Sequence, residues 1–510
     1  MTRPERFLGW LESASDWLSP IVVKEVRQAV RGRQFVYSFG ASLVAGLVVA
    51  FGGAADALTG TGTAGRWTFG ALTGCLAFLG LAVVPIGAFS ALRIERIEQT
   101  LELITLTALT PRRVVIGKLV AQGVKLATLF AAVAPFIAMS FLLGGVDFTT
   151  ILISLAVLFI WSLWMCSACL FFSSLFKSWA AIGLVVGGGG IVLLLILGLG
   201  RMLFLLALRG GISGSAFVFG FTGAEPWWAL AIMTTFCLVS MANLVLLAEN
   251  RLSLATTNRV TPLRVGFLAQ FLLITAWALS FINEAPAVRS NALEALNVIG
   301  GLHLALVAMF TVTEDLVVPR RVLSAMASSR WRSVLAIFQP GGGRGAAYVL
   351  AQMALLVAAS WLMQATWPQL RWLLAMCGYI CFFTGVPTCA FRIASPATPA
   401  SLRLRVAVLV LLPVSMLFPD ILYYVLWQPG VLDLSYGTRH LLDPIRTLAN
   451  WHTVETAEWL VVPFGLGLVG FLSYAALILI GRNMTAQVAP TDPEGSAAIA
   501  GAPGRANVLY

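Results

Sequence analysis

Long apolar runs divide this sequence, and they decide its class before any motif is read. Twelve of them fall at 35–55, 67–91, 118–143, 150–175, 179–200, 226–248, 265–282, 292–312, 345–365, 371–391, 406–427 and 457–481. A helix needs about 20 apolar residues to cross a hydrocarbon core of about 30 Å, and each run is close to that length. The runs are unbroken and rich in Leu, Ala and Val, whereas a transmembrane β-barrel requires short segments of alternating polarity. Composition agrees, with 59% of residues hydrophobic and 11% charged, against about 25% charged in soluble domains. The sequence predicts an all-α polytopic membrane protein with about 12 transmembrane helices.

The basic residues give an orientation. With the N-terminus inside, 25 Lys and Arg fall in inner segments. Only seven fall outside: Arg66, Arg201, Arg209, Arg289, Arg371, Arg439 and Arg446. Lys125 stands inside the third run. Such a bias predicts that both termini are cytoplasmic. It also accounts for the net charge of +11 without nucleic acid, because the cations face anionic inner-leaflet lipid. The first 30 residues are polar or amphipathic, which predicts no cleavable signal peptide.

Two charged stretches interrupt the apolar pattern. In the first, Ser19-Pro20 reads as an N-cap and first-turn proline. From Ile21 onward Val22, Val23, Val26, Ala29 and Val30 share one arc of a helix, with Lys24, Arg27 and Arg31 on the other. That pattern predicts an amphipathic helix lying in the membrane interface. The second stretch is Arg93–Ala121. On a helix over Arg93–Thr105, Glu95, Glu98 and Glu102 fall within roughly 60° of one another, with Ile94, Ile97, Leu101 and Ile104 opposite. Thr110-Pro111 then restarts the chain as a new helix running through Arg112 and Lys118. The result is a folded, charged loop between two spans that offers carboxylates to water or to a partner.

Both stretches resemble segments of ABC-2-type transporter permeases. Pro20, Lys24, Glu25 and Arg27, with Arg31 beyond them, are similar to the elbow helix that precedes the first span in that family. Glu95, Glu98, Thr100-Leu101-Glu102-Leu103, Thr110-Pro111 and Gly117-Lys118 resemble the family's loop between the second and third spans. Gln99 departs from the Gly often found before Thr-Leu-Glu. Without the family, the same stretches read as a generic amphipathic anchor and an interfacial loop with no partner.

Organisation follows from the loops. Residues 1–34 form a cytoplasmic entry segment with the elbow helix. A six-span domain occupies 35–250, with its loop at 92–118. A connector covers 251–264, a second six-span domain 265–484, and a disordered cytoplasmic tail 485–510. In each half the second inner loop is long and carries acids followed by Pro-Arg-Arg-Val: Glu98 and Glu102 before Pro111–Val114, and Glu314 and Asp315 before Pro319–Val322. The second half lacks the elbow and the Thr-Leu-Glu-Leu piece. It reads either as a decayed repeat or as an unrelated module.

Little in the chain could carry chemistry. The segment 339–345, QPGGGRG, lacks the Lys and Ser/Thr of a phosphate-binding loop, and Gly117-Lys118 is followed by Leu119. All seven cysteines lie in predicted spans, and Cys166-x-x-Cys169 reads as small apolar packing rather than a redox or metal pair. His303 reads as a core histidine. Asp420 sits either within a span or at the outer headgroup level. His440 and His452 are too few for a metal site, and no catalytic triad spacing appears.

The resemblance implies a membrane-spanning permease subunit of an ATP-driven transporter, an exporter, with no catalytic, cofactor or metal site of its own. ATP and Mg would be used by a separate ABC-type ATPase subunit. Coupling to it would run through Glu95, Glu98, Thr100, Glu102, Thr110, Pro111 and Arg112. Membrane lipid and a second copy of the chain, as a homodimer, are further partners. The substrate is not readable. An ion-coupled secondary transporter with 6+6 helices is the competing reading, weakened by scarce midplane acids and bases; a membrane enzyme is a third. Labelling checks the topology. Tags at Gly62, Gly144, Asn283 and Gly437 are expected outside, and tags at Gln99, Ser178, Asn258 and Ser328 inside. Two inverted sites would overturn the twelve-span arrangement.

Overall fold

The computed structural model describes residues 20–58, 64–97, 111–144, 146–175, 225–253, 258–315, 334–394, 404–405, 407–408, 410–411, 438–456 and 459–488. Among the described residues the regular structure is entirely helical. Ten helical stretches are long and apolar enough to cross a membrane. They coincide with ten of the twelve expected runs. The other two, 179–200 and 406–427, lie wholly or largely outside the described residues. The chain is a multi-pass helical membrane protein, and it divides into two compact units, Met1–Ser253 and Leu254–Tyr510.

The first unit opens with α1, Pro20–Arg31. A bend at Gly32 leads into α2, Arg33–Leu58. The second span is continuous from α3, Ala64–Phe78, through a π-helical turn at Leu79–Val83, into α4, Val84–Ile97. The third is α5, Pro111–Leu142, the fourth α6, Phe148–Leu175, and the last described is α7, Glu225–Leu252. Sequence explains the π turn. Pro85 has no N–H and its ring crowds the carbonyl four residues back, and the helix widens just before it. The Val84 N–H reaches back to the Leu79 carbonyl. Gln34 of α2 donates to the Val83 carbonyl at 2.8 Å, filling an acceptor beside the distortion.

One helix, α2, is packed the opposite way from a helix of a soluble bundle. The buried face of α2 is Phe35, Ser38, Ser42, Gly46, Ala50 and Gly53. Its outward residues include Val36, Val44, Leu47, Val48 and Phe51. Lipid is as apolar as Leu, so large side chains gain little by turning inward. Close backbone approach and interhelical hydrogen bonds decide which face is inside. Trp164 of α6 donates to Ser240 of α7 at 2.7 Å, and Ser173 of α6 to the Phe89 carbonyl of α4 at 2.8 Å. Cys166 and Cys169 lie buried in the cluster of Phe35, Phe89, Leu126 and Leu129, and all seven cysteines are free thiols.

The second unit contains α8, Val260–Leu279; α9, Pro286–Thr311; a 3-10 turn at Val334–Phe338; α10, Gly342–Leu362; and α11, Trp367–Ala394. Within the expected outer loop 428–456, residues 438–456 fold into a 3-10 turn, Thr438–Leu442, and two short helices, α12, Pro444–Ala449, and α13, Trp451–Thr456. Leu441, Trp451 and Val454 pack there against Ala375. Tyr379 donates to the Leu441 carbonyl at 2.5 Å and Trp372 to that of Leu448 at 3.0 Å. His440 is fully buried in this cap.

The last helix, α14, Val461–Val488, lies along α11. They meet backbone to backbone where Gly378 faces Gly467. A β-carbon on Gly378 would stand 2.7 Å from the Gly467 Cα, whereas one on Gly465 would meet nothing. Gly378→Ala is therefore expected to cost about 1–3 kcal/mol through overpacking, and Gly465→Ala close to nothing. Thermal unfolding of the two variants in detergent checks the contrast.

Candidate functional site

An ammonium group needs a reason to stand in an apolar run, and in the first unit that run is VVIGKLVA. The third span starts at Pro111, with Arg112 and Arg113 exposed on its first turn. Two turns on, Lys118 points inward and is 2% exposed. Its Nζ lies 2.7 Å from Glu95 Oε1, on the last turn of α4, and 3.2 Å from Glu25 Oε2, in the middle of α1. Both carboxylates are largely covered, at 16% and 10% side-chain exposure. Arg93, one turn-half before Glu95, is buried as well.

The local sequence explains why these groups meet. On the wheel of α1, Glu25 falls beside the apolar arc of Val22, Val26 and Ala29 rather than with the cations. An acid on the face that packs against α5 must be paired, because an isolated buried charge costs far more than a hydrogen-bonded one. Lys118 supplies the pair. One side chain thus ties three elements: the helix before the first span, the end of the second span and the start of the third. Breaking such a buried pair by removing one member costs far more than losing a surface pair, because the partner charge stays behind.

The expected coupling residues divide into two groups. Glu95, Pro111 and Arg112 are in place at the base of the loop, as are Pro20, Lys24, Glu25, Arg27 and Arg31 on α1. Glu98, Thr100, Glu102 and Thr110 lie outside the described residues, within 98–110. Glu95, which the helical wheel offered to water, is turned onto Lys118. What sequence reasoning missed was the pairing. The usable signal was a Lys and a Glu each placed on an otherwise apolar face.

The second unit has an acid–base centre of its own. Arg264 of α8 is completely buried and donates to the carbonyls of Ile337, Gln339 and Gly341 at 2.7, 2.7 and 3.1 Å. It also pairs with Glu314 at 2.5 Å. Glu314 accepts from the Gly341 N–H at 3.2 Å, and Gly341 adopts a positive φ of 126° that glycine tolerates readily. Burial pushes the Glu314 carboxyl up, and the Arg264 guanidinium and the Gly341 N–H oppose it. Arg392 of α11 donates to the Glu314 carbonyl at 2.8 Å and reaches Asp315 at 3.4 Å. QPGGGRG thus spends its main-chain groups on the protein's own charges. Of the two acids expected in this loop, only Asp315 has an accessible side chain, 42% exposed. Pro319–Val322 lie outside the described residues.

The other singled-out residues carry less. His303 is packed against the rings of Phe267 and Phe271, with centroids 6.1 and 5.9 Å away, and its Nε2 has no hydrogen-bond partner among the described residues. Asp420 lies outside the described residues. His452 is exposed on α13 while His440 is buried. No family model matches the chain, and neither a curated protein nor a solved structure matches it.

Lys118→Met would leave two covered carboxylates facing each other. It is expected to cost about 3–5 kcal/mol, and adding Glu95→Gln should recover part of that loss. Arg371→Ala, in the half-exposed pair with Glu455 at 3.0 Å, should cost no more than about 1 kcal/mol. Melting of the three proteins in one detergent tests the ranking.

Proposed function

We propose that this chain is the membrane-spanning permease subunit of an ATP-driven transporter of the ABC-2 type, an exporter energised by a separate ATPase subunit. The observation that supports it best is the Lys118 centre. Glu25, Glu95 and Lys118 each belong to a stretch that resembles the family, and they meet at the base of the segment 98–110. A loop whose two ends are clamped to each other moves as a unit, so a push on its tip reaches α4 and α5 together. In this reading both termini are cytoplasmic, the membrane is a bacterial inner membrane, and Glu98, Glu102 and Arg112 meet the ATPase. The second unit is either a decayed repeat or a separate module, and one or two copies of the chain complete the translocator. An ion-driven cycle, the competing reading, would have to pass through ionisable groups inside the spans, Lys125 and His303 among them.

Glu98 and Glu102 are the residues to change, because Glu95 also carries the Lys118 pair. Truncating desolvated charges at an interface costs about 2–5 kcal/mol. Glu98→Ala with Glu102→Ala should leave insertion and melting unchanged and reduce recovery of a co-expressed ATPase by at least about tenfold. Unchanged recovery and transport would remove the coupling role. Purified alone in lipid, the chain should hydrolyse no ATP above background.

A further inference from the structure

The side of α1 that turns away from Lys118 is built differently from the side that meets it. Val23, Lys24, Arg27, Gln28 and Arg31 line an open groove of about 440 Å³. Lys24, Arg27, Gln28 and Arg31 follow one another at the spacing that makes a ridge on a helix, and all four are exposed. The only acid of α1 is Glu25, and Lys118 holds it on the opposite side. Among the described residues the groove is therefore lined by three cations, an amide and one apolar side chain.

We infer that this groove holds the headgroup of an anionic phospholipid. Two features favour a lipid over a soluble anion. Val23, 36% exposed, gives the groove an apolar wall that a free ion would not use. Beyond the bend at Gly32, Val36 and Tyr37 start the outward apolar surface of α2, so acyl chains have a surface to follow within two turns of Arg31. Lys24, Arg27 and Arg31 set three positive charges along the groove, each of which draws an anionic headgroup. The lipid would occupy the outer face of the helix whose inner face is pinned by Glu25. This inference does not depend on the transport reading, and either can fail without the other.

The test uses the full chain purified in detergent, offered equal amounts of phosphatidylglycerol and phosphatidylcholine with matched acyl chains. Bound lipid is counted by native mass spectrometry. The wild-type protein should retain the anionic lipid preferentially. The triple change Lys24→Gln, Arg27→Gln, Arg31→Gln should lower that preference at least about tenfold. The charge-conserving set Lys24→Arg, Arg27→Lys, Arg31→Lys should keep it within about threefold, and Arg27→Gln alone should fall between. Melting curves establish that each variant is folded. No anionic preference in the wild type, an unchanged preference in the Gln variant, or an equal loss in the charge-conserving variant would overturn the assignment.

Discussion

One ammonium group, Lys118, organises the charged end of the first unit. It sits among apolar neighbours with two carboxylates in reach, one from the helix before the first span and one from the end of the second. Three consequences follow from that pairing. The position of α1 is set by an ionic contact as well as by apolar packing. The segment 98–110 leaves from and returns to helices joined at its base. The outer face of α1, with the helix's only acid turned away, carries Lys24, Arg27 and Arg31. The second unit solves a related problem with different parts: Arg264 and Glu314 are buried together, and the segment before α10 is wrapped around them by its carbonyls.

Outside these centres the protein obeys the packing logic of a lipid solvent. Ser, Gly and Ala of α2 face inward while Val, Leu and Phe face out. α11 and α14 approach until Gly378 and Gly467 touch. Buried hydroxyls such as Thr384 and Tyr474, 2.8 Å apart, add contacts worth about 0.6 kcal/mol each on average. In the two ionic centres each buried cation has carboxylate or carbonyl partners, because a charge buried without one is costly.

The helical class and ten of the expected spans were legible in the sequence, because the apolar length needed to span a bilayer is a demanding requirement that few other structures meet. Helix starts at Pro20 and Pro111 were legible too, since proline suits a first turn and little else in a helix. The site was only half legible. A helical wheel placed Glu95 with Glu98 and Glu102, but a wheel knows nothing of the next helix, and Lys118 arrives from there. Glu25 and Lys118 were noticed as motif residues without their contact, since pairing across 93 positions leaves no periodic trace. Glu314 read as a loop acid because its burial depends on Arg264, fifty positions earlier. The π turn before Pro85 left a trace, the proline itself, that the apolar count passes over. Periodicity reports one element at a time; these contacts belong to pairs of elements.

The central claim is that the loop clamped by Lys118 is where a separate ATPase delivers its stroke. Site-specific photocrosslinking from position 102, in cells, tests it most directly. The predicted adduct is a second protein carrying a Gly-x-x-x-x-Gly-Lys-Ser/Thr phosphate-binding loop, captured from 102 and not from position 437, which is expected outside. Adducts from 102 that contain no such protein, in membranes where the chain is inserted and folded, would contradict it.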